Sequence, residues 1–161
     1  MTILGKGEPA PDFTLRDLEG QPHTLSAGPW PTLLVFMKST CGTCQFTAPY
    51  VQRLRETVPR RAARILLVME DGEAEAREFA TRHGLSGPVL LEQEPWAVSA
   101  AYGLESVPGF FLVEEGTVVS TSFQAFQRDP LAEIAADLAR RGGHGSVRFF
   151  EEGEVPVLRP G

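Results

Sequence analysis

Three stretches of the chain are apolar almost without interruption: "TLLVFM" at 32–37, "RILLVM" at 64–69 and "PVLL" at 88–91. Runs this short with no polar alternation predict strands buried on both faces. Between them the period changes. Phe46, Tyr50, Leu54 and Val58 recur every four residues, a helical stripe running toward Pro59. Asp71 and Gly72 open a second helix, with Glu73 and Glu75 in its first turn, where the helix dipole favours acids. Phe79 gives that helix an apolar contact, and Gly84 ends it as a left-handed cap. A short third helix lies in "EPWAVSAAYGL" and stops near Gly103.

The flanks follow a different rhythm. "GFFLV" and "TVVST" enclose Glu114-Glu115-Gly116, a hairpin with Gly116 at positive φ. Asp129 as cap and Pro130 in the first turn begin a last helix, whose buried face is Leu131, Ile134, Ala135 and Leu138 and whose end is Gly142-Gly143. Ahead of the first apolar run, "DFTL" and "HTL" form two short extended pieces around Gly20 and Pro22. The order β-β, β-α-β-α-β-α, hairpin, helix predicts an α/β fold. It has a central mixed β-sheet flanked by helices, with an N-terminal β extension. Residues 1–141 make the domain; residues 142–161 are a tail or an added hairpin about Gly153.

At 161 residues the chain is expected to be one domain that buries about two-thirds of its unfolded surface. Its net charge of −6 comes with no basic stripe, which argues against nucleic acid as a partner. "MTILGKGEPAPDF" lacks the basic start and apolar core of a signal peptide, and no run reaches the ~20 apolar residues of a membrane helix. A soluble, cytoplasmic protein without membrane contact is expected, although a chain trimmed of an export signal would read the same. Oligomeric state is not legible.

The only two cysteines, Cys41 and Cys44, stand three apart in "FMKSTCGTCQFTAP". A structural bridge there would close so short a loop that its entropic benefit is minimal. A metal clip wants about four ligands, and His23, His83 and His144 are scattered without paired spacing, so no metal is expected. A working dithiol fits the context. Strand, short loop and helix place Cys41 at the start of the helix, where free N–H groups and the dipole favour a thiolate. Cys44, one turn later, is placed to resolve a mixed disulfide from within. Lys38, three residues ahead of Cys41, reads more simply as a solvated lysine than as a partner of the sulfur. Pro108 in "ESVPGFF" opens an apolar strand; local sequence leaves its isomer open.

With these residues together, the chain resembles the thioredoxin-like superfamily. It is most similar to TlpA-like thiol–disulfide oxidoreductases, bordering the alkyl-hydroperoxide-reductase/thiol-specific-antioxidant group. The resemblance spans roughly residues 8–141. It rests on "APDFTL", "TLLVFM" leading into "CGTC", Pro49 five residues past Cys44, "AYGLESVPGFFLV" and the last amphipathic helix. It implies a thioredoxin fold, Cys41 as nucleophile, Cys44 as resolver, a cis Val107–Pro108 bond, and a helix bent at Pro49. It also implies that the Val107 backbone pairs with an extended substrate segment, a strand-edge mode of recognition.

Three positions depart from the pattern. Thr40 replaces the tryptophan of thioredoxins proper, Val35 replaces their buried aspartate, and Thr47 replaces the glutamate of many TlpA-like proteins. Glu70 and Asp71 are the candidates to stand in for the missing acids. Gly42-Thr43 between the cysteines matches neither the Gly-Pro of reducing members nor the Pro-His of strongly oxidising ones, and these residues are a main lever on potential.

The expected function is thiol–disulfide exchange with protein thiols and disulfides, run as a reductase and recharged by an upstream dithiol reductant. No cofactor is needed beyond the Cys41–Cys44 couple. A thiol peroxidase is the alternative, but its Pro-x-x-x-Thr/Ser-x-x-Cys frame fails in both registers: Met37 and Cys41 stand before Cys44, Leu34 and Lys38 before Cys41. A non-catalytic redox-sensing or binding module is the third class.

Overall fold

The computed structural model describes residues 2–161. The N-terminal extension is an antiparallel pair, β1 (Thr14–Arg16) and β2 (Pro22–Thr24). It is joined by a turn in which the Asp17 carboxylate accepts from the Glu19 and Gln21 N–H groups, both at 2.9 Å. There follow β3 (Thr32–Met37), α1 (Gly42–Thr57), β4 (Arg64–Met69), α2 (Glu73–Arg82) and β5 (Val89–Leu91). The chain continues through α3 (Ala97–Ala101), β6 (Gly109–Glu114), β7 (Val118–Gln124), β8 (Phe126–Gln127), α4 (Arg128–Arg141) and β9 (Leu158–Arg159).

The main sheet runs β5-β4-β3-β6-β7. β3 lies parallel to β4 and antiparallel to β6, so the sheet is mixed at its middle strand. All six residues of β3 are buried, as a strand covered on both faces requires. Leu33, Val35 and Met37 face the layer of α1 and α4, against Cys44, Ala48, Val51 and Leu138. Leu34 and Phe36 face the other way, onto Tyr102, Phe111 and the extension residues Phe13 and Leu25. The C-terminal ends of β3 and β4 therefore emerge side by side beneath the dithiol loop.

Two expectations shift. The stripe Phe46, Tyr50, Leu54, Val58 is not the face that α1 lays on the sheet; that face is Cys44, Thr47, Ala48, Val51 and Leu54. A four-residue step advances 400° around a 3.6-residue helix, so the apolar series drifts off the sheet toward its N-terminal end. Phe46 and Tyr50 are covered instead by Phe126 and, for Tyr50, Phe150. Likewise α4 starts at Arg128 with Gln127 as its cap, two residues earlier than the expected cap Asp129, and the Arg128 N–H donates to Val157 O at 3.0 Å.

Both displacements have one cause: residues 142–161 return across the domain. They form no hairpin of their own. A turn at Gly153 is present, but β9 pairs antiparallel with β8, and Phe149, Phe150 and Val155 are buried in the same core as α1 and α4.

Phe126 is the joint of this arrangement, fully buried with its ring centroid 5.1 Å from Phe46 and 5.9 Å from both Tyr50 and Phe150. Phe126→Ala should cost about 3–5 kcal/mol of stability in urea unfolding. A loss under about 1 kcal/mol would show that the tail packs independently of it.

Candidate functional site

The site begins where β3 leaves the core. Cys41 is the N-cap of α1, with an extended backbone (φ −85°, ψ 118°), and its Sγ accepts the Cys44 N–H at 3.1 Å. The sulfur thus stands at the N-terminal end of the helix and takes up one of its otherwise unpaired backbone donors. The loop ahead of it is held from two sides. Asp71 accepts from the Ser39 N–H at 2.9 Å and from the Ser39 hydroxyl, and the Gln45 amide donates to Ser39 O at 2.9 Å. Asp71, a candidate for proton transfer by position, is thus spent on holding this loop.

On the far side of Cys41 stands the 105–108 loop. The Val107–Pro108 bond is cis, and the Cys41 thiol points at Val107 O, 3.5 Å away. Gln124, at the end of β7, secures this loop by accepting from the Glu105 and Ser106 N–H groups at 2.8 and 3.0 Å. Asp71 and Gln124 are positioning residues that the sequence reading passed over in this role. Both lie far from Cys41 along the chain, and each acts by accepting backbone N–H groups, which leaves no local signature.

The two sulfurs differ sharply. Cys41 is partly exposed, whereas Cys44 is fully buried. Burial pushes the Cys44 thiol far up; its hydrogen bond with Cys41 and the nearby Glu70 charge add to the rise. Glu70 is itself held above the ordinary carboxylate range, chiefly by burial, with the Glu92 charge adding and a Ser99 hydrogen bond opposing. Glu92, almost wholly buried, accepts the Val98 and Ser99 N–H groups and the Ser99 hydroxyl, so it caps α3. Lys38 is not simply solvated: its ammonium lies 5.1 Å from the Trp96 ring centroid.

The remaining expected residues are placed as follows. Thr40 and Gly42 are exposed at the rim. Thr43 is buried; its hydroxyl accepts from Arg159 Nε at 3.2 Å and donates to Pro160 O. Thr47 is buried and its hydroxyl donates to Thr43 O at 2.7 Å, within its own helix. Val35 lies between Leu67 and Phe110 in the sheet. Pro49 stands exposed within a helix that continues to Thr57. Among the described residues no group of three or more His, Cys, Asp or Glu could hold a metal, and no helix is long and apolar enough to cross a membrane.

Comparison with known proteins agrees with this geometry. A profile of the AhpC/TSA family matches residues 6–121. The thiol-disulfide oxidoreductase ResA of Geobacillus thermodenitrificans is 31% identical over 117 residues, 71% of this chain and 66% of that protein. The match thus spans slightly less than two-thirds of that relative. The methylamine utilization protein MauD of Methylobacillus flagellatus is 27% identical over 151 residues, 89% of this chain and 68% of its own. Among solved structures, the thioredoxin domain of a thiol-disulfide oxidoreductase from Bacteroides vulgatus superposes with a TM-score of 0.75 at 20% identity. That superposition covers 84% of this chain and 99% of that one. The fold is the thioredoxin fold.

Two outcomes follow from the electrostatics. Iodoacetamide should modify reduced native protein at Cys41 and reach Cys44 only after unfolding, as read by peptide mass spectrometry; equal labelling of both would refute the buried placement of Cys44. For Glu70, a raised carboxyl means that the folded state prefers the protonated form. That contribution is complete below the unfolded carboxyl value and is lost as pH rises through the folded one. Glu70→Gln should therefore raise the melting temperature more at about pH 8 than at about pH 4, and the reverse ordering would contradict the burial of this acid.

Proposed function

The chain belongs to the AhpC/TSA family, and from its dithiol we infer that it is a thiol–disulfide oxidoreductase acting on protein disulfides. One observation carries the reading: Cys41 Sγ lies between the first N–H groups of α1 and the Val107 carbonyl, with a buried Cys44 one turn behind it. This arrangement gives a partly exposed attacker beside a backbone edge and a sheltered second thiol.

In the forward direction the Cys41 thiolate attacks one sulfur of a substrate disulfide. A Cys41–substrate bond forms, the substrate S–S bond breaks, and the first substrate thiolate leaves with a proton taken from solvent. Val107 offers its backbone to an extended substrate segment beside cis-Pro108, with Thr40 and Gly42 at the rim. Cys44 then loses its proton and attacks Cys41 Sγ. The Cys41–Cys44 disulfide forms and the second substrate thiolate is released, two electrons having passed to the substrate. A dithiol reductant restores the starting state. Burial makes Cys44 a poor thiolate until its proton is removed. Glu70, whose charge reaches it through the core and whose own proton affinity is raised, is the acid suited to receive that proton.

The cytoplasmic setting expected from the sequence would keep the pair reduced and run it as a reductase in cell redox homeostasis. The names of relatives such as ResA, and the absence of the peroxidatic frame around either cysteine, support the thiol–disulfide oxidoreductase reading itself, not its compartment or direction.

The test is to replace the cysteines singly. Cys44→Ser should accumulate mixed disulfides through Cys41 that dithiothreitol releases. Cys41→Ser should form none and lose about a hundredfold or more of insulin-reducing activity. Rapid hydrogen-peroxide consumption by a protein inert toward insulin would replace this reading with a peroxidase. Partners retained equally by both variants would indicate a binding module.

A further inference from the structure

The face beside Cys41 that a substrate would need is already occupied, and by this chain. Residues 157–161 leave the β8 edge, where Leu158 pairs with Gln127 and Arg159 with Phe126. They then cross the start of α1. The Arg159 guanidinium lies 4.8 Å from the Phe46 ring centroid and its Nε donates to the Thr43 hydroxyl at 3.2 Å. The Thr43 hydroxyl donates in turn to Pro160 O. Gly161 ends against Val107: a Cβ there would run into the Val107 carbonyl, the same group that Cys41 faces. An extended segment therefore spans both walls of the dithiol, Thr43 on one side and Val107 on the other.

The manner of attachment matters. Residues 156–161 are all exposed, with Val157 at 57% and Leu158 at 56%. Backbone and side-chain hydrogen bonds and one cation–π contact hold the segment, without a buried apolar anchor. Contacts of this kind are individually worth little net free energy, because water replaces them on release. The surface beneath is specific all the same. It has a hydroxyl for a main-chain carbonyl, an aromatic face for a cation, and a carbonyl wall that tolerates only a residue without a side chain.

We propose that residues 157–161 are a resident stand-in for substrate. They occupy the docking edge between Thr43 and Val107, and the partner that displaces them is an extended protein segment with a basic side chain for Phe46 and a carbonyl for Thr43. The inference rests on the oxidoreductase reading for the identity of the incoming segment, but the occupancy of the edge stands on the contacts alone. The net charge of −6 also favours approach by a basic segment over an acidic one. Because segment and substrate compete for one edge, the segment raises the apparent KM and leaves the step after docking untouched.

Three forms of the full reduced protein test this: the unaltered chain, one lacking residues 157–161, and Arg159→Ala, which keeps every other contact should the deletion perturb folding. The first readout is the rate at which Cys41 reacts with a polyethylene-glycol maleimide; the second is KM and kcat for insulin reduction. Deletion should speed maleimide labelling about three- to tenfold and lower KM by a similar factor with kcat unchanged, and Arg159→Ala should fall between. A synthetic Val-Leu-Arg-Pro-Gly peptide should restore protection of Cys41 in the deleted form; the same peptide with glutamate in place of arginine should not. Unchanged labelling and KM in both variants would overturn the proposal. A KM that rises on deletion would overturn it too, since the segment would then help to hold substrate. If no form reduces insulin yet deletion still exposes Cys41 and the peptide still covers it, the oxidoreductase reading falls and the occupied edge stands.

Discussion

The hydrogen bond from the Cys44 N–H to Cys41 Sγ, 3.1 Å long, ties the more exposed sulfur to the end of a helix that the whole core holds still. α1 cannot shift without disturbing Cys44, Ala48, Val51 and Leu54, all fully buried against the sheet. β3 cannot shift either, since it is paired on both edges and covered on both faces. The loop between them has only four residues, Lys38–Cys41, and Asp71 reaches across from the end of β4 to fasten it. The sulfur is therefore presented by rigid elements that hold it in one place.

The same helix makes the two thiols unequal. One turn places Cys44 on the buried face while Cys41 remains at the cap, so a spacing of three residues yields one accessible and one sheltered sulfur. Shelter has a chemical consequence: Cys44 resists ionising, and no acid stands at the positions in β3 and α1 where the family resemblance led one to be expected. Val35 there is locked between Leu67 and Phe110, and the Thr47 hydroxyl is occupied by Thr43 O. Glu70 enters from a different strand. Its elevated proton affinity, like that of Cys44, comes chiefly from burial. In the proposed cycle, proton removal from the resolver passes through the end of β4, not along α1.

How far the sequence could be read depended on whether a feature was local. The strand at 32–37, the dithiol at the helix start, the glycine caps and the hairpin about Gly116 each follow from residues adjacent in the chain, and each is where expected. The buried face of α1 is not legible locally because Phe46 and Tyr50 are covered by residues far along the chain, Phe126 for both and Phe150 for Tyr50. Asp71 and Gln124 were passed over as positioning residues because a carboxylate or amide that accepts distant backbone N–H groups resembles any surface polar residue until the loops are brought together. The sequence marks Thr43 only as one of the two residues between the cysteines that bear on potential; its contacts with Arg159 and Pro160 have no local signature.

The tail is built in two parts of different strength, and that division gives it a dynamic character. Residues 149–155 are anchored. Arg53 donates to Phe149 O at 2.9 Å, pairs with Glu154 and lies 5.0 Å from the Tyr50 ring centroid, while Phe149, Phe150 and Val155 are buried. Residues 157–161 beyond them are held only at the surface. A ligand on a short tether experiences an effective concentration on the order of millimolar, so it fills its site whenever its intrinsic dissociation constant lies below that. A modest intrinsic affinity also means that it leaves readily. On the proposed competition, a segment in solution displaces the tethered one by making more contacts on the edge, which would let that edge discriminate among protein disulfides by the segment flanking them.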